Sequence, residues 1–250
     1  MAIRAVVFDL GHTLWDFAPT IESRRFVVLR LHTTLERALG GDVPPPAALD
    51  RVLHEASLRW FKRWDEERDD LSQPPSETFL RDALAELGVP ASPALLRAAT
   101  GAVFAGDPDM PVVAPDTLAA LGELDARGLR LGCVTNTVSL EAGINDVIER
   151  LGLRRYLRSV VVSSAMRYRK PHPSLFRRAL DDLDVAPREA VFVGDRLRDD
   201  VAGAKAIGML AVLTHQYRQE PLDGARLAPD AVIRRLSDLP AAIARMEAED

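Results

Sequence analysis

The stretch VVFDLGHTLWDF, residues 6–17, begins with an apolar run, rich in β-branched residues, that ends at a carboxylate, Asp9. The run, which starts at residue 3, lacks the alternation of polar and apolar residues typical of a strand with one face in water. We therefore expect a strand that is covered on both faces and that ends at Asp9. Runs of the same kind follow at residues 129–135, 158–163, 190–195, 209–214 and, more weakly, 230–233.

Helical patterns lie between most of these runs. Apolar residues at three-to-four spacing predict helices over residues 116–127, 138–151, 173–184 and 197–207. Strands that alternate with helices are typical of the α/β class, so we predict a doubly wound parallel sheet.

The region from residue 15 to residue 112 departs from this alternation. It contains no comparable apolar run and predicts four successive helices, near residues 20–39, 46–68, 76–87 and 92–104. We therefore predict an all-helical domain at 15–112, inserted into an α/β core that comprises residues 1–14 and 113–250. Residues 106–116 are the predicted return linker.

The composition is that of a globular protein. Hydrophobic residues make up 47% of the 250 residues and charged residues 28%, and the formal net charge is -5. This charge gives no reason to expect a nucleic acid as partner. No apolar stretch approaches the ~20 residues that span a bilayer, no signal-peptide pattern is evident, and Cys133 is the single cysteine. We therefore expect a cytoplasmic protein with no disulfide and with neither a nucleic-acid nor a membrane partner.

Polar residues follow several of the predicted strands at the point where each strand ends. They are Asp9 after the first, Thr135 and Asn136 after the second, and Asp195 and Asp200 after the fourth. Ligands of open parallel sheets bind at the carboxyl ends of the strands, so we expect Asp9, Asp195 and Asp200 to lie close together. Crowded carboxylates raise one another's pKa unless a cation joins them, and such oxygen ligands suit Mg²⁺. The sequence therefore predicts a magnesium site, with Lys170 as the basic group of comparable placement.

Four segments of the chain, taken in order, resemble the four motifs of the haloacid dehalogenase-like (HAD) hydrolase superfamily. They read VVFDLGHTL (6–14), CVTN (133–136), RKPHPSLF (169–176) and VFVGDRLRDDVAGAKAIGM (191–209). The resemblance covers the core, roughly residues 1–14 and 113–235, and the helical region between the first two motifs is similar to the family's C1-type cap. Each motif is weak alone, but four in order at fitting distances point to the family.

The resemblance implies catalytic roles for three residues. Asp9 would be the nucleophile that forms a phosphoaspartyl intermediate, and Thr135 would hydrogen-bond a phosphoryl oxygen. Lys170 would neutralise charge on Asp9 and on the transferring group, which agrees with the importance of charge neutralisation in phosphoryl transfer.

The resemblance also implies binding roles. The implied Mg²⁺ ligands are Asp9, the backbone carbonyl of Gly11, Asp195 and Asp200. Asp200 is preferred to its neighbour Asp199 on the spacing of the family motif. Asn136 and His12 are assigned to substrate binding.

Gly11 stands where most phosphatases of the family have a second Asp, which protonates the leaving oxygen and later activates water. Glycine still supplies a carbonyl, so the implied metal site survives while the general acid does not. Loss of general acid–base help costs about 10²- to 10⁴-fold in rate. Three explanations stay open: His12 or Asp16 replaces the acid, the natural leaving group departs unaided, or the protein binds phosphorylated ligands and hardly turns them over.

Two other functions are considered. Enzymes of 2-haloacid dehalogenation also use an Asp nucleophile, but they need no metal, usually lack the acidic fourth motif and carry an aromatic residue at the position of Gly11. The segment GDRLRDD (194–200) therefore favours phosphoryl chemistry. A non-catalytic module that binds phosphorylated metabolites is the alternative from another class. We predict a Mg²⁺-dependent phosphatase for a small phosphorylated metabolite, acting as a monomer or homodimer.

Trp60, Phe61 and Trp64 form the densest aromatic cluster of the sequence, within the helix predicted for residues 46–68. Trp60 and Trp64 share a helix face because they are four residues apart. Packing inside the helical cap is the preferred interpretation, and selection of an apolar substrate is the alternative.

Overall fold

Eight strands and ten α-helices are present in the residues that the computed structural model describes, 2–66, 70–104, 111–222 and 228–248. The strands are β1 (Ala5–Phe8), β2 (Asp16–Phe17), β3 (Pro111–Val112), β4 (Arg130–Thr135), β5 (Leu157–Val162), β6 (Ala190–Gly194), β7 (Leu210–Thr214) and β8 (Ala231–Ile233). The α-helices are α1 (Ile21–Leu39), α2 (Pro46–Glu66), α3 (Ser76–Ala85), α4 (Pro93–Phe104), α5 (Pro115–Ala126), α6 (Glu141–Arg150), α7 (Ser163–Met166), α8 (Pro173–Leu183), α9 (Ala202–Ala206) and α10 (Leu239–Ala248). Short 3₁₀ helices lie at Pro187–Glu189 and Leu236–Asp238, and a π-helix lies at Leu197–Val201.

Six of the strands form one parallel sheet in the order β5-β4-β1-β6-β7-β8. The first strand of the chain is central, since Val7 of β1 pairs with Gly132 of β4 on one side and with Phe192 of β6 on the other. The chain builds one half of the sheet outward from β1 and then returns to build the other half. This reversal is where open α/β sheets bind their ligands, and it confirms the predicted doubly wound sheet.

Both faces of the sheet are covered, which explains the lack of polar alternation in its strands. Val6 and Phe8 face a hydrophobic cluster that includes Leu121 of α5. Ala5 and Val7 face the opposite cluster, in which α8 and α9 pack. Because each β1 side chain is fully buried on one side or the other, the strand has no face that could tolerate polar residues.

Helices α1 to α4 share a hydrophobic cluster of their own, with buried residues such as Leu31, Leu49 and Leu80. The chain enters this helical layer through β2 and leaves it through β3, and these two strands pair antiparallel, with Asp16 opposite Val112. The sequence analysis did not predict this two-stranded connection. The division into domains at residues 15 and 112 stays a prediction.

The predicted strands and helices are present to within a few residues. The segment 197–207, predicted as one helix, is a π-helix followed by α9, and helices α7 and α10 were not predicted. Residues 67–68 of the predicted second cap helix and 106–110 of the return linker lie outside the described residues. None of the helices in the described ranges is long and apolar enough to cross a bilayer.

Candidate active site

Three buried aspartates meet at the carboxyl ends of the two central strands. Asp9 directly follows β1 and Asp195 directly follows β6, while Asp200 lies in the π-helix that comes next. The backbone N–H of Asp9 donates to the carbonyl of Val193 at 2.9 Å, which holds the first strand end against the second. Carboxylate oxygens of the three aspartates lie within 4.8 Å of one another. The predicted convergence of Asp9, Asp195 and Asp200 is therefore present.

Gly194 makes room for Asp200 in this cluster. A Cβ atom on residue 194 would lie 2.3 Å from Cγ and Oδ2 of Asp200, which no side chain tolerates. The carboxylate of Asp200 also accepts a hydrogen bond from the backbone N–H of Arg196 at 2.9 Å. Asp199 instead lies near the guanidinium groups of Arg196 and Arg198. The geometry thus agrees with the preference for Asp200 over Asp199.

Lys170 joins two of the aspartates. Its ammonium group donates to Asp9 Oδ1 at 2.6 Å and to Asp200 Oδ1 at 2.7 Å, and the side chain is buried. Burial alone would lower the pKa of Lys170, but the negative charges of Asp200 and Asp9 outweigh it and raise the pKa. The raised pKa favours a charged ammonium group on Lys170, directly beside the predicted nucleophile Asp9.

Asn136, which follows β4, fixes the backbone of Lys170. Its amide oxygen accepts from the Lys170 N–H at 2.7 Å, and its amide nitrogen donates to the Lys170 carbonyl at 3.2 Å. The side chain of Asn136 thus holds the lysine segment, and a substrate contact from Asn136 stays a prediction. Thr135 ends β4 beside β1 and is buried at the same edge of the sheet.

The cluster carries more negative charge than its surroundings stabilise. Burial, followed by the charges of Asp9 and Asp200, raises the pKa of Asp195 above its ordinary value, against the opposing effect of Arg218. Burial also raises the pKa of Asp200, against the opposing effect of Lys170. Oδ2 of Asp195 is buried and accepts no well-aligned hydrogen bond from the described residues. A buried oxygen of this kind, next to two further carboxylates, fits a divalent cation with oxygen ligands.

The space next to Gly11 is filled by an aromatic ring. A Cβ atom on residue 11 would come within 2.9 Å of the ring atoms Cε2 and Cζ of Phe17. The ring of His12 packs edge-on against the same phenyl group, with centroids 5.2 Å apart. Nδ1 of His12 lies 2.8 Å from Oδ1 of Asp16, so these two residues form a hydrogen-bonded pair. His12 has φ 56°, a left-handed conformation that is uncommon outside glycine and recurs at functional sites.

Sequence reasoning missed two residues of this region, Phe17 and Arg218. Phe17 belongs to the unpredicted strand β2, and nothing in its local pattern signals contact with Gly11. Arg218 lies after β7, and its Nε is 3.1 Å from Asp195 Oδ2. A usable signal existed for Arg218, because β7 ends at the same edge of the sheet as β1 and β6.

Of the aromatic cluster of α2, Trp60 packs against the core of the helical layer, whereas Phe61 is exposed. Trp60 contacts Phe79 of α3 with ring centroids 6.0 Å apart and contacts Trp64 at 6.2 Å. Trp64 in turn lies over the guanidinium of Arg169, at 5.8 Å. These contacts agree with the packing interpretation for Trp60 and place Trp64 next to the segment that carries Lys170.

Comparison with known proteins supports one family. The family model for haloacid dehalogenase-like hydrolases matches residues 3–208. The phosphoglycolate phosphatase of Escherichia coli (strain K12) is 30% identical over 243 residues, covering 95% of this chain and 91% of that protein. The glyceraldehyde 3-phosphate phosphatase of Methanopyrus kandleri is 28% identical over 221 residues, 88% of each chain.

A solved structure gives the same result for the fold. The crystal structure of a 2-haloacid dehalogenase from Pseudomonas syringae pv. Tomato DC3000 is 30% identical, covers 98% of this chain and 99% of its own, and has a TM-score of 0.68. Family model, relatives and solved structure each extend over most of the chain, and the family model includes the motif that contains Asp9 and the one that contains Asp195. The chain therefore belongs to the haloacid dehalogenase-like hydrolases.

Proposed function

We propose that this hydrolase is a Mg²⁺-dependent phosphatase that cleaves a small phosphorylated metabolite through an aspartyl-phosphate intermediate on Asp9. The observation that carries the proposal is the contact of Asp9 with a buried ammonium group, that of Lys170, inside a cluster of three aspartates. The names of the relatives, two of them phosphatases of small metabolites, support this reaction.

Asp9 acts as the nucleophile in the proposed reaction. A carboxylate oxygen of Asp9 attacks phosphorus, the bond from phosphorus to the leaving oxygen breaks, and water then hydrolyses the acyl phosphate. Splitting the displacement into two steps in this way lowers the barrier of each. Lys170 and Thr135 bind the phosphoryl oxygens, so positive charge and hydrogen bonding are in place where negative charge is transferred.

Mg²⁺ is the cation that the donor set fits best. Asp9, Asp195, Asp200 and the carbonyl of Gly11 would hold it, all through oxygen atoms. The cation would neutralise phosphoryl charge and orient the group for attack. Of the two cations that contact the three carboxylates in the described part of the chain, Lys170 and Arg218, only Lys170 is buried. A divalent ion together with Lys170 would balance the three buried negative charges.

His12 is the proposed source of the proton that the leaving oxygen takes up. The ring edge of Phe17 occupies the space that a side chain on residue 11 would need. His12 is the next residue along the chain and is bonded to Asp16 at 2.8 Å, as a general acid is bonded to the carboxylate that orients it. Because Asp16 is bonded to Nδ1 of His12, the other ring nitrogen, Nε2, is the one that would give its proton to the leaving oxygen.

Dehalogenation of a 2-haloacid is the second candidate function. The 30% identity to a solved 2-haloacid dehalogenase favours it, as does the aromatic ring that lies against Gly11. Asp195 and Asp200 oppose it, because a reaction that needs no metal has no use for two further buried carboxylates beside the nucleophile.

Hydrolysis of p-nitrophenyl phosphate, followed by 2-phosphoglycolate and glyceraldehyde 3-phosphate, tests the proposal. We expect turnover with Mg²⁺, none after chelation with EDTA, and a loss of at least about 1,000-fold in Asp9→Asn. Asp50→Asn, which removes the same charge from a partly exposed pair with Arg24 on α1, is the matched control and keeps full activity. Turnover that persists in EDTA, or chloride release from 2-chloropropionate without metal, would contradict the phosphatase reaction.

Two further statements stay predictions. The relatives are named for their action on small phosphorylated compounds. We propose a substrate of the same class for this chain. A cytoplasmic location and a monomeric or homodimeric state are expected from the sequence alone.

A further inference from the structure

Arg218 reaches the aspartate cluster from a loop that has no motif assigned to it. Nε of Arg218 lies 3.1 Å from Oδ2 of Asp195. The side chain of Asp195 is 1% exposed, whereas that of Arg218 is 32% exposed. The guanidinium group therefore stands between the buried carboxylate and solvent.

The loop that carries Arg218 is held in place by its neighbours. Oε1 of Gln216 accepts from the backbone N–H of Leu236 at 2.6 Å, and its amide nitrogen donates to Thr117 Oγ1 at 3.2 Å. The hydroxyl of Tyr217 accepts from the backbone N–H of Ala114 at 2.9 Å. These contacts hold the two residues that precede Arg218, so the backbone that carries its side chain is positioned next to the aspartate cluster.

The two cations of the site are attached with different strengths. Lys170 is buried and makes hydrogen bonds of 2.6 and 2.7 Å to Asp9 and Asp200. Arg218 approaches Asp195 with Nε at 3.1 Å from Oδ2, and this oxygen receives no well-aligned hydrogen bond from the described residues. Strong arginine–carboxylate pairs are aligned and often bidentate. Arg218 can therefore turn into solvent at small cost, whereas Lys170 cannot.

We propose that Arg218 is a counterion for Asp195 in the metal-free protein and that a divalent cation displaces it. The inference rests on the metal site of the proposed function. With the cation bound, the three carboxylates and Lys170 already form a neutral group, and Arg218 would add one positive charge beside the cation. The cation and the guanidinium would repel each other and would compete for Oδ2 of Asp195. Both effects favour displacement of the guanidinium into solvent.

Calorimetric titration of the intact protein with Mg²⁺ tests this role. In the wild type, Mg²⁺ binding must break the contact between Arg218 and Asp195, which weakens the measured affinity. We therefore expect Arg218→Gln to bind Mg²⁺ roughly 5-fold more tightly, which corresponds to the free energy of a partly exposed ion pair. Arg218→Lys keeps the charge and stays near wild type. Arg178→Gln removes the same charge from an exposed pair with Asp182 and leaves the affinity unchanged.

Thermal unfolding supplies a readout that does not depend on catalysis. The melting temperature of metal-free Arg218→Gln falls below that of the wild type, because Asp195 loses its counterion, while the metal-loaded proteins melt alike. Unchanged or weaker Mg²⁺ binding in Arg218→Gln would overturn the inference and leave the phosphatase proposal standing. If the wild-type protein binds no Mg²⁺ and hydrolyses no phosphate ester, both proposals fail together.

Discussion

At the scale of single residues, Phe17 restricts which side chains fit at position 11. Phe17 lies in β2, where the chain crosses into the helical layer, and its ring edge occupies the space that a side chain on residue 11 would need. An aspartate there would have to displace the ring. The position next along the chain, His12, retains a titratable side chain that is bonded to Asp16.

This arrangement predicts how His12→Gln changes the dependence of the rate on the leaving group. An enzyme with a general acid cleaves esters of good and poor leaving groups at similar rates, because the acid protonates the departing oxygen. We expect His12→Gln to cleave p-nitrophenyl phosphate almost normally and an alkyl phosphate about 10²- to 10⁴-fold more slowly. Initial rates over a series of aryl and alkyl phosphates measure the slope of log rate against the pKa of the leaving group.

Asp16→Asn should show a smaller change in the same direction, because Asp16 orients the ring without touching substrate. His54→Gln, on an exposed position of α2, is the matched control and keeps the wild-type slope. A wild-type rate that already depends steeply on the leaving group, and that His12→Gln does not alter, would show that no general acid is present.

At the scale of secondary structure, two glycines allow the π-helix and α9 to pack closely against their neighbours. Gly194 ends β6 and lets the π-helix bring Asp200 over the strand end. Gly203 opens the surface of α9 toward α8. A Cβ atom on residue 203 would lie 2.5 Å from Cζ of Phe176 and 3.0 Å from Cβ of Pro171. Both motif glycines are thus required by close packing next to the site.

Gly203→Ala should destabilise the protein. Phe176 is fully buried and packs against Phe192 with centroids 5.0 Å apart, so its ring has no free space to move into. Overpacking of this kind lowers the free energy of unfolding by about 1–3 kcal/mol. Because Pro171 follows Lys170, we also expect a lower kcat. Urea denaturation and steady-state kinetics measure the two effects.

Gly101→Ala is the matched control for this substitution. Gly101 also lies within a helix, α4, but a Cβ atom there has nothing within 4 Å. Alanine at that position should raise the free energy of unfolding by about 0.5–1 kcal/mol through its higher helix propensity. Equal effects of the two substitutions would mean that close packing at Gly203 is not the cause.

At the scale of the whole molecule, the helical layer also contacts the segment that carries Lys170. Ser72 and Tyr168 form an antiparallel bridge, and the backbone N–H of Arg169 donates to the carbonyl of Leu71 at 2.9 Å. The guanidinium of Arg169 also donates to the carbonyl of Trp64 at 3.0 Å. Movement of the helical layer would therefore displace Arg169, the residue next to Lys170, or break these hydrogen bonds.

Global stability should depend on pH through Cys133. Burial, followed by the negative charge of Asp9, raises the pKa of this thiol to about 12. An unfolded chain loses the proton near pH 9, so between about pH 9 and pH 12 the unfolded state binds fewer protons than the folded one. The free energy of unfolding therefore falls as pH rises through this window, by up to about 1.4 kcal/mol per pH unit.

Denaturation curves of wild type and Cys133→Ala, recorded from pH 8 to the highest pH that folding allows, isolate this effect. The wild type should lose stability more steeply above about pH 9, since only it carries the thiol. Parallel curves for the two proteins would contradict the raised pKa of Cys133. The folded wild type should also resist alkylation at pH 8.

The sequence alone determined the predicted sheet and the place where the candidate site forms. Apolar runs such as residues 3–9 predicted the strands, and the acids that end them predicted the convergence of Asp9, Asp195 and Asp200. These inferences succeed because burial of both strand faces leaves a local pattern, and because parallel strands carry their ends to one edge.

Only the tertiary structure decided which side chains surround that site. The ring of Phe17 against Gly11 and the bond between His12 and Asp16 have no signature in the local sequence pattern. For Arg218, the end of β7 indicates the edge of the sheet but not the contact with Asp195. Each depends on packing between segments whose relative position is set by the whole sheet and the helical layer. A periodic pattern reports which face of an element is buried, and it carries no information on the particular neighbour that buries it.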